Sequence, residues 1–99
     1  MQDKVICRTP TLNKKPTRID KLKFDLIHNT ILEILPIEGN GILFKDLPNL
    51  VKEKISIDKL EKLGSLKWYV VSVKLEMEVR KKIYRVQKSN PQRLLRSSD

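Results

Sequence analysis

The segment that ends at Pro36 constrains the fold more than any other part of the sequence. Its apolar side chains recur at the spacing of one helix face: Phe24, Ile27, Ile31, Ile34 and Leu35. Proline disfavours helical backbone at the residue before it, so the helix has to end there. The pattern predicts an amphipathic helix from about Thr17 to Leu35.

Turn residues and a proline mark the next elements. Gly39-Asn40-Gly41 is a turn signal, and the apolar run 42–44 after it predicts a brief strand. Asp46 is placed to cap a second helix, from about Leu47 to Ile55, with a proline in its first turn. The stretch from Ser56 to Leu63 is ambiguous and could form a short helical turn before Gly64.

A long third helix is predicted from Ser65 to about Lys81. Apolar residues within 71–79 also alternate with polar ones, which is the strand period. The order of the elements and the resemblance described below favour the helix. Two strands, 83–86 and 93–96, then form a hairpin around the turn 87–92.

These elements predict one α+β domain. Residues 1–16 are interpreted as a flexible N-terminal arm, 17–96 as the domain and 97–99 as a frayed C-terminus. The order helix, short strand, helix, helix and hairpin is that of a winged helix-turn-helix. In that architecture the third helix enters the major groove of DNA and the hairpin contacts the backbone or the minor groove.

Three stretches also resemble a small uncharacterised bacterial family for which a winged-helix fold is expected. They are the third-helix segment 67–78, the strand Ile83-Tyr84-Arg85-Val86 with the segment 90–94, and Phe44-Lys45-Asp46-Leu47. The likeness covers about residues 18–96 and implies the fold rather than an activity. Where winged helices often have a glycine before the wing, this chain has Arg80-Lys81-Lys82.

The third helix carries apolar side chains on two opposite sides. One side holds Trp68, Val71, Leu75 and Val79. The other side is predicted as a dimer or partner interface, unless the helix is central and buried on both sides: Leu66, Val70, Val73 and Met77. Trp68 is expected to anchor the core.

Charge points to a polyanionic partner. The net charge is +9, and residues 61–99 carry ten positive and four negative side chains. Lys67, Lys74 and Lys81 fall on one line of the third helix, and arginines crowd into the hairpin. Duplex DNA is the expected partner, and transcriptional regulation is a role that such binding would allow. RNA binding, a homodimer and a protein-interaction module without nucleic acid are alternatives.

The predicted nucleic-acid contacts lie on the third helix and the hairpin. They are Ser65, Lys67, Tyr69, Lys74, Lys81, Tyr84, Arg85, Lys88, Arg93 and Arg96. Within this set, Tyr84 is the candidate for base stacking.

Catalysis and cofactors are not expected. The single histidine, His28, lies at the margin of an apolar stripe, and the carboxylates show no paired pattern. One cysteine and one histidine cannot supply a common transition-metal site. No motif indicates a small-molecule ligand. The chain has no apolar run long enough to span a bilayer and no secretory signal, so a cytoplasmic location is expected.

Overall fold

The computed structural model describes residues 3–10 and 14–98, which form an α+β fold. The helices are α1 (Lys21–Ile34), α2 (Leu47–Lys54), α3 (Ile57–Leu63) and α4 (Leu66–Val79). The strands are β1 (Lys4–Cys7), β2 (Thr17–Asp20), β3 (Ile42–Leu43), β4 (Ile83–Arg85) and β5 (Arg93–Arg96). A 3₁₀ turn, Phe44–Asp46, leads from β3 into α2. The predicted α+β class is confirmed.

Helix α1 ends where the proline rule predicts and begins later than predicted. Leu35 is extended, with φ −77° and ψ 129°, and its N–H closes the last turn on Ile31. At the other end, Thr17 lies in strand β2 rather than in the helix. Local spacing could not reveal this, because β2 depends on a partner strand from the start of the chain.

The structure has four α-helices in the described residues where three were predicted. The ambiguous stretch after α2 forms α3, a helix of seven residues. The Ser56 side chain accepts a hydrogen bond from the Lys59 N–H at 3.4 Å, which caps its start. Gly64, at φ +82°, ends it in a conformation that favours glycine. The apolar period of this short segment is weak, so the sequence left its helical structure ambiguous.

The N-terminal segment pairs with the chain ahead of α1, unlike the flexible arm predicted over residues 1–16. Strand β1 runs antiparallel to β2, with Val5 opposite Ile19 and Cys7 opposite Thr17. Cys7 and Ile19 are buried in the core. Burial and ladder hydrogen bonds thus hold residues 4–7. Residues 11–13 of the predicted arm lie outside the described residues.

Strands β3, β4 and β5 form a second antiparallel sheet in the order β3-β5-β4. The short strand predicted after the Gly39–Gly41 turn is present as β3, and the predicted hairpin is present as β4 and β5. Ser97, predicted to fray, donates its N–H to the Lys82 carbonyl and its hydroxyl to the Lys81 carbonyl. Asp99 lies outside the described residues.

Helix α4 is the centre of the fold. It packs against α1 and α2, and its edges contact α3, β1 and β4. Val70, Val73 and Met77 on its inner side are fully buried together with Ile27 and Ile31 of α1. The accessible parts of α4 are therefore its two ends and its outer side.

Gly41 lets β3 approach β5 closely. Its φ is +78°, and a Cβ at this position would lie 2.6 Å from the Leu94 carbonyl oxygen and 3.3 Å from a Val86 methyl. Gly39, two residues earlier, has φ +99° and open space around it. The two glycines thus share a left-handed backbone but differ in the room available for a side chain.

We predict that Gly41→Ala is more destabilising than Gly39→Ala. Left-handed backbone alone costs a non-glycine residue about 1–2 kcal/mol, and overlap at Gly41 adds about 2 kcal/mol. Urea unfolding of the two variants measures the difference in free energy of unfolding. Equal losses would contradict the close approach of β3 to β5.

Candidate nucleic-acid interface

An open groove lies along the outer edge of β4, where the hairpin leaves α4. We call it the hairpin-root groove, and its volume is about 650 Å³. Its lining residues are Pro10, Glu78, Lys81, Ile83, Tyr84, Arg85 and Ser97. Because β4 is an edge strand, the groove meets side chains from both faces of the sheet. Three predicted nucleic-acid contacts, Lys81, Tyr84 and Arg85, are thereby brought together.

The exit from α4 positions Lys81. Its φ is +61°, its N–H bonds to the Glu78 carbonyl, and the Lys82 N–H bonds to the Met77 carbonyl. These two bonds are the Schellman ending of a helix, in which the left-handed residue is usually glycine. Lys81 therefore occupies a position that usually holds glycine, and it carries a cation there.

Glu78 organises the cations beside the groove. Its carboxylate accepts from the Lys74 ammonium at 2.9 Å and from the Arg85 Nε at 2.5 Å. Tyr84 is 46% exposed on the same strand as Arg85. The Arg85 Nε donates its hydrogen bond to Glu78, which holds the guanidinium at the groove. Half of the Arg85 side chain stays accessible to solvent.

Lys74 is not on the surface, so the predicted row of Lys67, Lys74 and Lys81 is not formed. Only 1% of Lys74 is exposed, and its ammonium lies 4.4 Å from the centre of the Phe44 ring. Burial lowers its pKa, against the opposing effect of Glu78. The heptad spacing places the three lysines along one line of α4, but it could not show that Phe44 and other neighbours would cover Lys74 in the middle of that line.

The remaining hairpin cations are divided between surfaces. Strand register places Tyr84 and Arg93 on one face of the sheet, and Arg85 and Arg96 on the face that also carries Leu94. Arg93 lines a separate hollow beside α2, and Arg96 is half-buried near the end of α1. Lys88 is exposed at the hairpin turn, also in left-handed backbone.

The predicted contacts at the start of α4 form another surface. Ser65 and Lys67 are exposed and Tyr69 is half-buried. The 14 residues of α4 span about 21 Å at 1.5 Å per residue, which separates this end from the hairpin-root groove. The Ser65 side chain makes no capping bond. The two predicted groups are thus at opposite ends of one helix.

The predicted partner interface on α4 is core within this single chain. Val70, Val73 and Met77 are fully buried, and Leu66 packs partly buried against the same cluster. The opposite stripe is the outer one: Trp68, expected in the core, is 44% exposed. Periodicity revealed two apolar stripes but could not tell which one the rest of the chain would cover.

Sequence reasoning missed the buried carboxylate of Glu76. It accepts hydrogen bonds from the Arg8 backbone N–H at 2.7 Å, from Arg8 Nη2 at 2.8 Å and from Arg80 Nε at 2.6 Å. Burial by itself would raise its pKa, but these bonds lower the pKa to about 2. Glu76 and Arg80 are four residues apart, a spacing at which helical side chains can pair. The Arg8 contact could not be predicted in this way, because Arg8 lies 68 residues from Glu76 in the sequence.

The surroundings of Glu76 are otherwise apolar. Burial raises the pKa of the Cys7 thiol to about 11, and the charge of Glu76 adds to this effect. The Arg80 guanidinium lies 4.9 Å from the centre of the Phe24 ring. Glu76 thus links β1, the end of α4 and, through Arg80, helix α1.

The described part of the chain contains neither a metal-binding cluster nor a membrane-spanning helix. No three His, Cys, Asp or Glu side chains in residues 3–10 and 14–98 are grouped to hold a metal ion. None of the helices there combines the length and apolar character that a membrane crossing requires.

The fold and its surface define a small basic α+β protein with a cationic groove at a β-hairpin. The model of a family of unknown function, DUF6958, matches residues 4–94, and the chain belongs to that family. The match begins at β1, within the segment that was predicted to be an arm. No curated protein and no solved structure shows significant similarity to the chain.

We predict that Glu76→Gln destabilises the fold at neutral pH. Breaking a buried ion pair typically costs about 3–5 kcal/mol, and we expect about 2 kcal/mol because its arginine partners are partly exposed. Since the folded-state pKa of Glu76 is lowered, its contribution is complete above the ordinary carboxyl value near 4.5 and is lost as the pH falls towards about 2.

Urea unfolding at a series of pH values measures this dependence. The free energy of unfolding of the original chain should fall more steeply below pH 4.5 than that of Glu76→Gln. Glu33→Gln, which changes an exposed carboxyl on α1, is the matched control and should behave like the original chain. Parallel curves for the original chain and Glu76→Gln would contradict the assignment.

We also predict that Lys81→Gly stabilises the fold. Left-handed backbone is less favourable for lysine than for glycine by about 1 kcal/mol. Lys82→Gly, at the neighbouring exposed position, is the control and should not stabilise. Thermal unfolding compares the two, and a lower melting temperature for Lys81→Gly than for the original chain would refute the Schellman ending.

Proposed function

We propose that this protein binds double-stranded nucleic acid, most simply duplex DNA, through the hairpin-root groove. The observation that carries the proposal is the convergence of Lys81, Tyr84 and Arg85 on one open groove. Phosphate oxygens accept hydrogen bonds from lysine, arginine and tyrosine side chains, and the groove offers one of each. Lys88 is exposed in the turn that follows β4, so it adds a further cation to the same hairpin.

Long-range electrostatics favours the same partner. The net charge of +9 attracts a polyanion before contact, and the local cations then fix its position. Glu78 holds Arg85 in place, so less side-chain freedom is lost when the guanidinium meets a phosphate. The proposal therefore rests on a positioned cation and an exposed aromatic ring, and not on total charge alone.

The order of the elements supports binding in the manner of a winged helix. Helix α1 is followed by β3, then by the remaining helices and the β4–β5 hairpin, and β3 pairs with β5 to hold the hairpin against the helices. With Lys74 buried, the hairpin rather than α4 meets the nucleic acid in this proposal. Transcriptional regulation would further require base-edge contacts, for which the exposed hairpin turn offers the amides of Gln87 and Asn90.

We predict salt-sensitive binding to random-sequence duplex DNA. Lys81, Arg85 and Lys88 would neutralise about three phosphates, which would weaken binding by about 40-fold between about 50 and 200 mM salt. The double variant Lys81→Gly/Arg85→Gln should lower the slope of log affinity against log salt by about 2, because two phosphate contacts are removed. Fluorescence anisotropy with labelled duplex across a salt series measures both quantities.

The matched control is Lys52→Gln/Lys54→Gln, which removes two exposed charges from the end of α2. It should leave the slope close to that of the original chain. Equal losses in the two double variants would mean that net charge, and not the groove, attracts DNA. No binding of the original chain at the lowest salt would refute the proposed function itself.

A further inference from the structure

A second groove lies at the other end of α4, between the first turn of α1 and α3. We call it the α1–α3 groove, and its volume is about 410 Å³. Leu22, Leu26 and Leu63 supply its apolar lining. Leu22 is 76% exposed at the rim, whereas Leu63 is buried at the floor. An exposed leucine beside a recessed apolar floor is an unpartnered surface.

Lysines surround this apolar floor. Lys23, Lys59 and Lys62 line the groove, and Asp20 is the carboxylate that lines it with them. Lys23 lies 5.6 Å from the centre of the Tyr69 ring at the start of α4. Among residues 3–10 and 14–98, none of the three lysines forms a salt bridge, although exposed pairs such as Lys21 with Asp25 do form.

We propose that the α1–α3 groove docks a short amphipathic helical segment of an acidic partner protein. Leucine-type side chains of the segment would enter the apolar floor, and its carboxylates would pair with Lys23, Lys59 and Lys62. Three cations against one carboxylate give the rim a positive charge that selects an acidic occupant. Helix α3 has seven residues, about 10 Å long, so it matches about two turns of a docked helix.

The shape of the surface favours a peptide over a membrane. Leu22 protrudes, but Leu26 is half-buried and Leu63 is buried between the helices. An amphipathic helix that lies in a lipid interface instead presents a convex row of apolar side chains. A recessed floor with lysines at its margin corresponds to the helix-in-groove mode of recognition.

The two grooves are independent surfaces. The α1–α3 groove adjoins the start of α4 through Tyr69, and the hairpin-root groove adjoins its end at Lys81, about 20 Å away along the helix axis. A docked segment would therefore leave the hairpin-root groove open. Binding at one groove can be tested without assuming binding at the other.

The test is a titration of the ¹⁵N-labelled chain with a designed peptide of about 15 residues, or four helical turns. The peptide carries leucine on one face and glutamate elsewhere, and two comparison peptides replace either glutamate by lysine or leucine by serine. We expect amide shifts around Leu22, Lys23 and residues 57–63 with the first peptide alone. Trp68 is the single tryptophan and adjoins Tyr69, so its emission provides a second readout.

Variants at exposed positions test the assignment without threatening the fold. Lys59→Glu/Lys62→Glu should weaken binding of the glutamate peptide at least about tenfold and should create binding of the lysine peptide. Leu22→Ser should also weaken the glutamate peptide. Lys52→Glu/Lys54→Glu, the control on α2, should change neither, and circular dichroism checks that each variant is folded.

Three results would overturn the proposal. The first is no binding of the glutamate peptide at millimolar concentration. The second is equal binding of the glutamate and lysine peptides, or shifts located away from α1 and α3. The third is binding to phosphatidylcholine vesicles that contain phosphatidylserine, lost in Lys59→Glu/Lys62→Glu, with no peptide binding, which would identify an anionic membrane as the occupant.

Discussion

The carboxylate of Glu76 joins β1, the exit of α4 and, through Arg80, helix α1. It is fully buried, and Arg8 at the end of β1 and Arg80 at the end of α4 both bond to it. Arg80 in turn covers the Phe24 ring of α1. A buried charge is tolerated only when it is paired in this way, so β1, α1 and the exit of α4 have to come together around it.

Helix α4 owes its central position to its composition. Apolar residues on two sides and two inward-reaching carboxylates leave little of its surface for a ligand. Glu76 is bonded on the side of β1, and Glu78 is bonded to Lys74 and Arg85 on the side of the hairpin. The helix therefore acts as an axis that places cationic surfaces at its two ends, rather than as the contact surface itself.

Local signals made much of the fold predictable. Pro36 and the apolar spacing before it determined the end of α1, and the Gly39–Gly41 turn and the hairpin turn located β3, β4 and β5. Strand β1 was not predictable, because it depends on Arg8 meeting a carboxylate far along the chain. The capped helix α3 was left ambiguous for a different reason: its seven residues are too few to show a clear period.

The candidate site was only partly predictable. The concentration of charge after residue 61 drew attention to Lys81 and Arg85, and the structure places both of them with Tyr84 in the lining of one groove. The same count included Lys74, which lies under Phe44, and Arg93 and Arg96, which lie on other surfaces. Charge and spacing describe a helix or strand in isolation, whereas exposure is decided by which neighbours pack over it.

The most direct test of the central claim is an ¹⁵N chemical-shift map of the chain titrated with duplex DNA at low salt. The account predicts that shifted amides cluster at residues 81–88 and leave the first two turns of α4 unchanged. Shifts centred on residues 65–74 instead would contradict it, because they would make the start of α4, where Ser65 and Lys67 are exposed, the contact surface.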